Sequence, residues 1–187
     1  MQKELSQMSL QELWQLFPIF LTEHKMIWSN WFGEEKNILK NLLPANSVIR
    51  INHIGSTAIN IWAKPIIDIL IEIPRDCSMN IIKSIMINND YICMNEEKNR
   101  ISFNKGYTKN GFSEKVYHLH LKFLGDNDEL YFRDYLIENS SIAKEYEMLK
   151  LNLWRKYEFN RDTYTYAKKD FVHKYTQKAK KIYEGRY

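Results

Sequence analysis

The sequence predicts an α+β fold, in which strands packed with helices precede a helical C-terminal segment. Three observations predict it. Ile66 to Ile73 is an apolar, β-branched run between Pro65 and Pro74, the composition of a buried strand. Tyr117-His118-Leu119-His120-Leu121-Lys122 alternates strictly between apolar and polar residues, as a strand with two unlike faces does. From Asp128 onward, apolar residues recur at three-to-four spacing, the period of helices with one buried stripe. The 187 residues are read as one domain in three parts: N-terminal helices over 1–45, a sheet core over 46–125 and C-terminal helices over 126–187.

In chain order, Ser9-Leu10-Gln11-Glu12 is a capping box, so a short helix follows with Leu13, Leu16 and Phe17 inward. Residues 22–42 read as a second helix, capped by Thr22, with Ile27, Trp31, Ile38 and Leu42 on one stripe and a weak point at Gly33. Leu43-Pro44-Ala45-Asn46 ends it. Strands are expected over 47–53 and 66–73, with a short helix over 57–62 between them. Asp76 or Ser78 caps a helix through Asn88 that turns Ile81, Ile82, Ile85 and Met86 inward. Strands near 91–94, 100–104 and 115–123 follow, and Lys105 to Gly111 reads as a mobile polar loop. Three helices complete the chain. The first begins around Leu130 and Tyr131; the second is capped by Ser140 or Ser141; the third is capped by Asp162 and carries Tyr164, Phe171, Tyr175, Ala179 and Ile182 on one stripe.

Hydrophobic residues make up 44% of the chain and charged residues 27%, the balance of an ordinary globular protein. No run of about 18 apolar residues exists, so no membrane span is predicted. The first residues lack the basic-then-apolar layout of a signal peptide, and Cys77 and Cys93 have no metal-like spacing. A cytoplasmic protein with free thiols is expected. The net charge of +4 is uneven: residues 140–187 hold twelve Lys/Arg against six Asp/Glu, and the remainder holds fifteen against seventeen. A basic half beside an acid-bearing site suits a small anionic ligand; a solvated helix face is the plainer account. The excess is too small to argue for nucleic acid.

Function is concentrated in Asn52 to Ile73. Side chains alternate along a strand, so Ile67, Ile69, Ile71 and Ile73 share a core face while Asp68, Leu70 and Glu72 share the other. The two acids are either ordinary surface residues or part of a cation or phosphate site. Just upstream, Gly55-Ser56 reads as a turn opening a helix, which presents backbone N–H groups and a hydroxyl to an anion. Asp68 is then placed to hold a metal that accompanies that anion. His118 and His120, two apart on one strand face, are either two imidazoles near a metal or phosphate or the polar side of an edge strand.

Ile54-Gly55-Ser56, followed after eleven residues by Asp68-Ile69, resembles the signature of the GrpB family, within the DNA-polymerase-beta-like nucleotidyltransferase superfamily. His118-Leu119-His120, Phe132-Arg133-Asp134-Tyr135, Tyr146 to Lys150, and Arg161 with Tyr164-Thr165 and Lys168 are similar to further family motifs, so the resemblance spans roughly residues 28–183. It departs at Leu70, where the superfamily's second carboxylate should stand, and at Asn60-Ile61, where many relatives carry Pro-Gly.

The resemblance implies a mixed, nucleotidyltransferase-like β-sheet flanked by helices. It also implies a metal-dependent transfer of a nucleotidyl group from a nucleoside triphosphate to a small acceptor. Asp68 and Glu72 are the implied catalytic acids, and Asp68, His118 and His120 the implied metal ligands. Histidine where relatives carry a third acid shifts the expected metal from Mg²⁺ towards Mn²⁺ or Zn²⁺. Gly55, Ser56, Arg161 and Lys168 are the implied phosphate ligands. Arg133 either joins them or holds its helix to the sheet. The alternative function is a non-catalytic module binding a nucleotide or phosphometabolite, with a coenzyme A precursor hinted at by family domains fused to dephospho-CoA kinase. A protein-interaction domain is a third possibility, given twelve tyrosines.

Overall fold

A computed structural model describes residues 3–187; Met1 and Gln2 lie outside it. Its centre is a five-stranded sheet with spatial order β1-β2-β5-β4-β3. The strands are β1 (Arg50–Ile54), β2 (Ile67–Ile73), β3 (Ile92–Glu97), β4 (Arg100–Thr108) and β5 (Gly111–Phe123). β2 and β5 run parallel and every other neighbouring pair runs antiparallel, so the sheet is mixed as expected. The helices are α1 (Leu10–Leu16), α2 (Ile27–Leu42), α3 (Met79–Ile87), α4 (Asp128–Glu138), α5 (Ser140–Tyr157), α6 (Arg161–Tyr166) and α7 (Lys169–Ile182).

The alternation read along β2 and β5 sets the two layers. Ile67, Ile69, Ile71 and Ile73 join Leu119, Leu121, Ile101 and Phe103 in one core with Trp28 and Leu39 of α2 and Ile82 and Met86 of α3. The opposite face is also covered. Leu70 is fully buried against Ile54 and Leu130, beneath the C-terminal helices. Those helices hold a second core of stacked tyrosines, among them Tyr135, Tyr146 and Tyr175. β2 is therefore central and covered on both sides, which is why its sequence is almost continuously apolar.

Several elements differ from expectation. Thr22 pairs with Ala63 in a β-bridge instead of capping α2, and Ile27 and Ile38 are exposed. The buried stripe is Trp28, Glu35 and Leu39: Glu35 is admitted because Tyr91 and Lys105 donate to its carboxylate. The expected helix over 57–62 is one 3₁₀ turn, Ser56–Ala58. Ile81 of α3 is exposed. Lys105 to Gly111 is paired β-structure, with only Lys109 and Asn110 at its tip. The third C-terminal helix is capped by Asn160, not Asp162, and breaks at Ala167-Lys168 into α6 and α7. Ser9 does cap α1 with the reciprocal Glu12 bond.

Candidate functional site

Register brings the site together. β2 and β5 pair in parallel with Asp68 opposite His118 and Leu70 opposite His120, so the acid and both imidazoles share one face. β1 pairs with β2 so that Ile54 faces Asp68, which delivers Gly55 and Ser56 to the same place. Gly55 has φ 70°, and a Cβ there would overlap Asp68 Oδ2. Glycine is thus required twice, by the left-handed backbone and by the close approach of the carboxylate.

Asp68 and its neighbours line a cleft of about 1390 Å³ together with Gly55, Ser56, Tyr107, Arg161 and Lys168. Arg100 lies 3.0 Å from Nδ1 of His120. A guanidinium only donates, so Nδ1 accepts and the ring proton sits on Nε2, 3.9 Å from Asp68 Oδ1. Arg161 donates to the Tyr107 hydroxyl at 3.1 Å, and that hydroxyl, which can both donate and accept, pairs with His118 Nε2 at 2.7 Å. An ionised carboxylate only accepts, so the His118 nitrogen that faces it, Nδ1 at 3.3 Å from the same Asp68 oxygen, carries a proton. Both imidazoles present N–H groups, not lone pairs, to Asp68.

The expected metal set of Asp68, His118 and His120 does come together, as a carboxylate faced by two ring nitrogens. A metal at Asp68 would need the nitrogens that here carry protons, and moving the His120 proton to Nδ1 would set it against an Arg100 N–H. Among the described residues, no group of three His, Cys, Asp or Glu side chains is placed to hold a metal ion. The second acid position does not supply one either, because Leu70 is packed in a dry apolar cluster with Ile54 and Leu130. The residues present do not fit a two-metal carboxylate centre.

Cations gather near Asp68, while the acids Asp126, Asp128, Glu129 and Asp162 also line the cleft. Lys64, Lys150 and Lys168 all lie within electrostatic reach of Asp68, and Arg161 acts on Lys64 and Lys168. Burial, with neighbouring cations, pushes Lys64 and Lys150 down to about 7; burial chiefly pushes Lys168 down to about 8. Burial also pushes the Asp68 carboxyl up, but hydrogen bonds from His118 and His120 outweigh it and hold the group well below its ordinary range. His118 is pushed below its ordinary 6.5 by burial, which fits a neutral ring. Farther along the cleft, the acids Asp126 and Glu129 are taken up by Lys122.

Other expected site residues are engaged elsewhere. Glu72, though on the Asp68 face, is completely buried and serves as a structural bridge: it accepts from Gly125 N–H and Asn127 Nδ2, each at 3.1 Å, and lies 2.9 Å from Arg50 Nε. It is not free for catalysis. Arg133 spends its guanidinium on Asp134, on the His53 carbonyl at 2.8 Å and on Tyr187 Oη at 3.0 Å. It holds α4 to β1 and is not a phosphate ligand. Ser56 does reach the cleft, which Tyr146 also lines. Arg161, Thr165 and Lys168 all line the cleft, and Lys168 lies 4.2 Å from the Tyr164 ring centroid.

Sequence reasoning missed Tyr107 and Arg100 as site residues. Tyr107 follows a bulge at Gly106, where φ is 88° and a Cβ would overlap the Lys115 carbonyl. Regular alternation would send Tyr107 to the core face beside Lys105; the bulge turns it to His118. Arg100 shares its face with Ser102, the partner of His120, a relation visible once β4 and β5 are paired.

Comparison with known proteins places these features in context. The family model described as GrpB protein matches residues 18–178. A UPF0157 protein of Bacillus subtilis, YqkA, is 35% identical over 163 residues, 85% of this chain but only 46% of that protein. The glutamate-rich protein GrpB of Alkalihalophilus pseudofirmus is 33% identical over 82% of this chain and 91% of its own length. A crystal structure of the conserved protein GrpB from Enterococcus faecalis superimposes with a TM-score of 0.75 at 30% identity, covering 88% of this chain and 99% of that one. The Cid1 poly(U) polymerase gives a TM-score of 0.47 at 9% identity, a likeness that carries no argument.

Proposed function

The chain belongs to the GrpB family, and within it we propose that the Asp68 cleft binds a small phosphate-bearing metabolite of the nucleotide class without a metal ion. One observation carries the reading: the Asp68 carboxylate in the floor faces the His118 N–H at 3.3 Å, while Arg161 and Lys168 line the same cleft. Those two side chains attract a phosphate, and the acids Asp126, Asp128, Glu129 and Asp162 line the rest of the cleft. Gly55 and Ser56 edge the same space, and Arg161 offers a donor-rich fork for phosphate oxygens. Asp68 then acts as a counter-charge for Lys168, with Arg161 beside it.

Nucleotidyl transfer is the second reading. The convergence of Gly55, Ser56 and Asp68 favours it, since that chemistry places a glycine-serine turn against its first acid. Leu70 and Glu72 weigh against it, because neither is placed to complete the acid set. Isothermal titration with pyrophosphate and ATP, in EDTA and then in excess Mg²⁺ or Mn²⁺, separates the two. Metal-free binding that Arg161→Gln weakens by about tenfold or more, the loss of one charged contact, is expected. Binding that requires metal, with release of pyrophosphate from ATP, would establish transfer instead.

A further inference from the structure

α1 is amphipathic, yet none of its residues is buried. Leu10, Leu13 and Trp14 stand at three-to-four spacing, and with Phe17 they form an apolar stripe. Such a stripe ordinarily packs on a core. Here all four residues line the cleft that holds Asp68, and Leu10 is 49% exposed. Across the same cleft, Ile92 and Met94 of β3 are 41% and 57% exposed.

The stripe is continuous with the basic floor. Phe17 is buried with its ring 4.8 Å from Tyr107 and 5.0 Å from Phe112, and Tyr107 is the residue that joins Arg161 to His118. One ring therefore belongs to both halves of the cleft. The volume of about 1390 Å³ also exceeds the roughly 300–1,000 Å³ of common small-molecule sites, which leaves room beyond a phosphate group.

We propose that the apolar stripe of α1 is the wall of a second subsite, which takes the apolar body of an amphiphilic phosphate ester whose phosphate rests on Arg161 and Lys168. The assignment depends on the anion reading above, because charge complementarity is what selects an anionic amphiphile over a neutral one. The apolar body lies along Leu10, Leu13 and Trp14, and its burial supplies affinity that phosphate contacts alone do not.

Titration of inorganic phosphate and of monomeric octyl phosphate against the full chain tests the pair of claims separately. In the wild type, octyl phosphate should bind at least about tenfold more tightly, the yield of burying only two methylene groups. In Leu10→Ser/Leu13→Ser that ratio should collapse towards one; because α1 buries none of its residues, the thermal midpoint should stay close to wild type. In Arg161→Gln both ligands should weaken alike. A ratio unchanged by the α1 double variant, with both ligands weakened by Arg161→Gln, overturns the subsite and leaves the anion reading intact. Two ligands untouched by Arg161→Gln overturn the anion reading itself. Phosphatidate vesicles distinguish a soluble ester from a lipid headgroup: a subsite for a soluble ester should not carry the chain down with sedimenting vesicles, and sedimentation lost in the α1 double variant would assign the stripe to a membrane surface.

Discussion

Replacing Asp68 by Asn removes one negative charge while almost preserving shape, and the floor of the cleft fixes what should follow. Asp68 Oδ1 receives His118 at 3.3 Å and His120 at 3.9 Å. An amide oxygen still accepts from His118, but the bond falls from the charged class, about 1.5–3 kcal/mol, to the neutral class, about 0.5–1.5 kcal/mol. The basic side chains also lose their counter-charge. A unit charge about 8 Å away at an effective dielectric of about 20 is worth about 2 kcal/mol before salt screening. Together these give an expected destabilisation of about 2–4 kcal/mol, measured by urea denaturation at neutral pH with EDTA throughout. Pyrophosphate binding should move the other way and tighten several-fold, since a repelling charge has gone. The carboxyl ionises below its ordinary 3.8, so its contribution is fully present above that value and is lost only as pH falls beneath it. A metal ligand predicts the reverse on both counts: an apo variant as stable as wild type or more so, and binding abolished. An Asp68→Asn protein that is undiminished in EDTA and has lost metal-dependent binding would refute the reasoning.

Gly55→Ala should cost about 2–4 kcal/mol, combining a left-handed residue with an overlap onto Asp68, and should disturb the His118 Nδ1 proton resonance. A variant that melts with wild type and keeps that resonance would show that the carboxylate is not held against Gly55. Glu72→Gln should destabilise by about 2–4 kcal/mol through loss of the Arg50 pair, somewhat below a fully buried bridge, yet leave pyrophosphate affinity within about twofold. Loss of binding without loss of stability would return Glu72 to the site. The lysines give a paired pH test. Their folded values, about 7 for Lys64 and Lys150 and about 8 for Lys168, lie below the ordinary 10.5, so the unfolded chain holds more protons over that window and their contribution to apo stability rises with pH. Pyrophosphate affinity should fall over pH 7 to 9, because the same protons attract the anion. Affinity that is flat across those values would exclude the three lysines from binding.

Much of the fold was legible because its central strands obey one rule. β-Branched residues over 66–73 and strict alternation over 117–122 gave both the strands and their faces, and the parallel pairing of β2 with β5 then put Asp68 beside His118. α2 was expected over 22–42 and runs Ile27–Leu42, and its stripe was misjudged because hydrophobicity was taken as burial. Ile27 and Ile38 are exposed, and Glu35 takes a core position. Its acceptability depends on Lys105 and on Tyr91, donors from distant parts of the chain. No local pattern around residue 35 contains that information.

The site was legible as a set of residues and not as a set of proton positions. Gly55, Ser56, Asp68, His118, His120, Arg161 and Lys168 were all named from sequence, and all stand around one region. What decides between a metal and an anion is finer: which imidazole nitrogen carries the proton. That choice belongs to Arg100 for His120, and to the Asp68 carboxylate itself for His118, whose other nitrogen meets a Tyr107 hydroxyl able to donate or accept. Arg100 enters through the pairing of β4 with β5, and Tyr107 through a bulge that reverses its face. Two histidines and an acid have the composition of a metal centre. A donor aimed at the far side of the His120 ring turns that imidazole's N–H towards the carboxylate. The chemistry of such a cluster is therefore set by the residues behind it, and a motif that stops at the acid and the histidines leaves its sign undetermined.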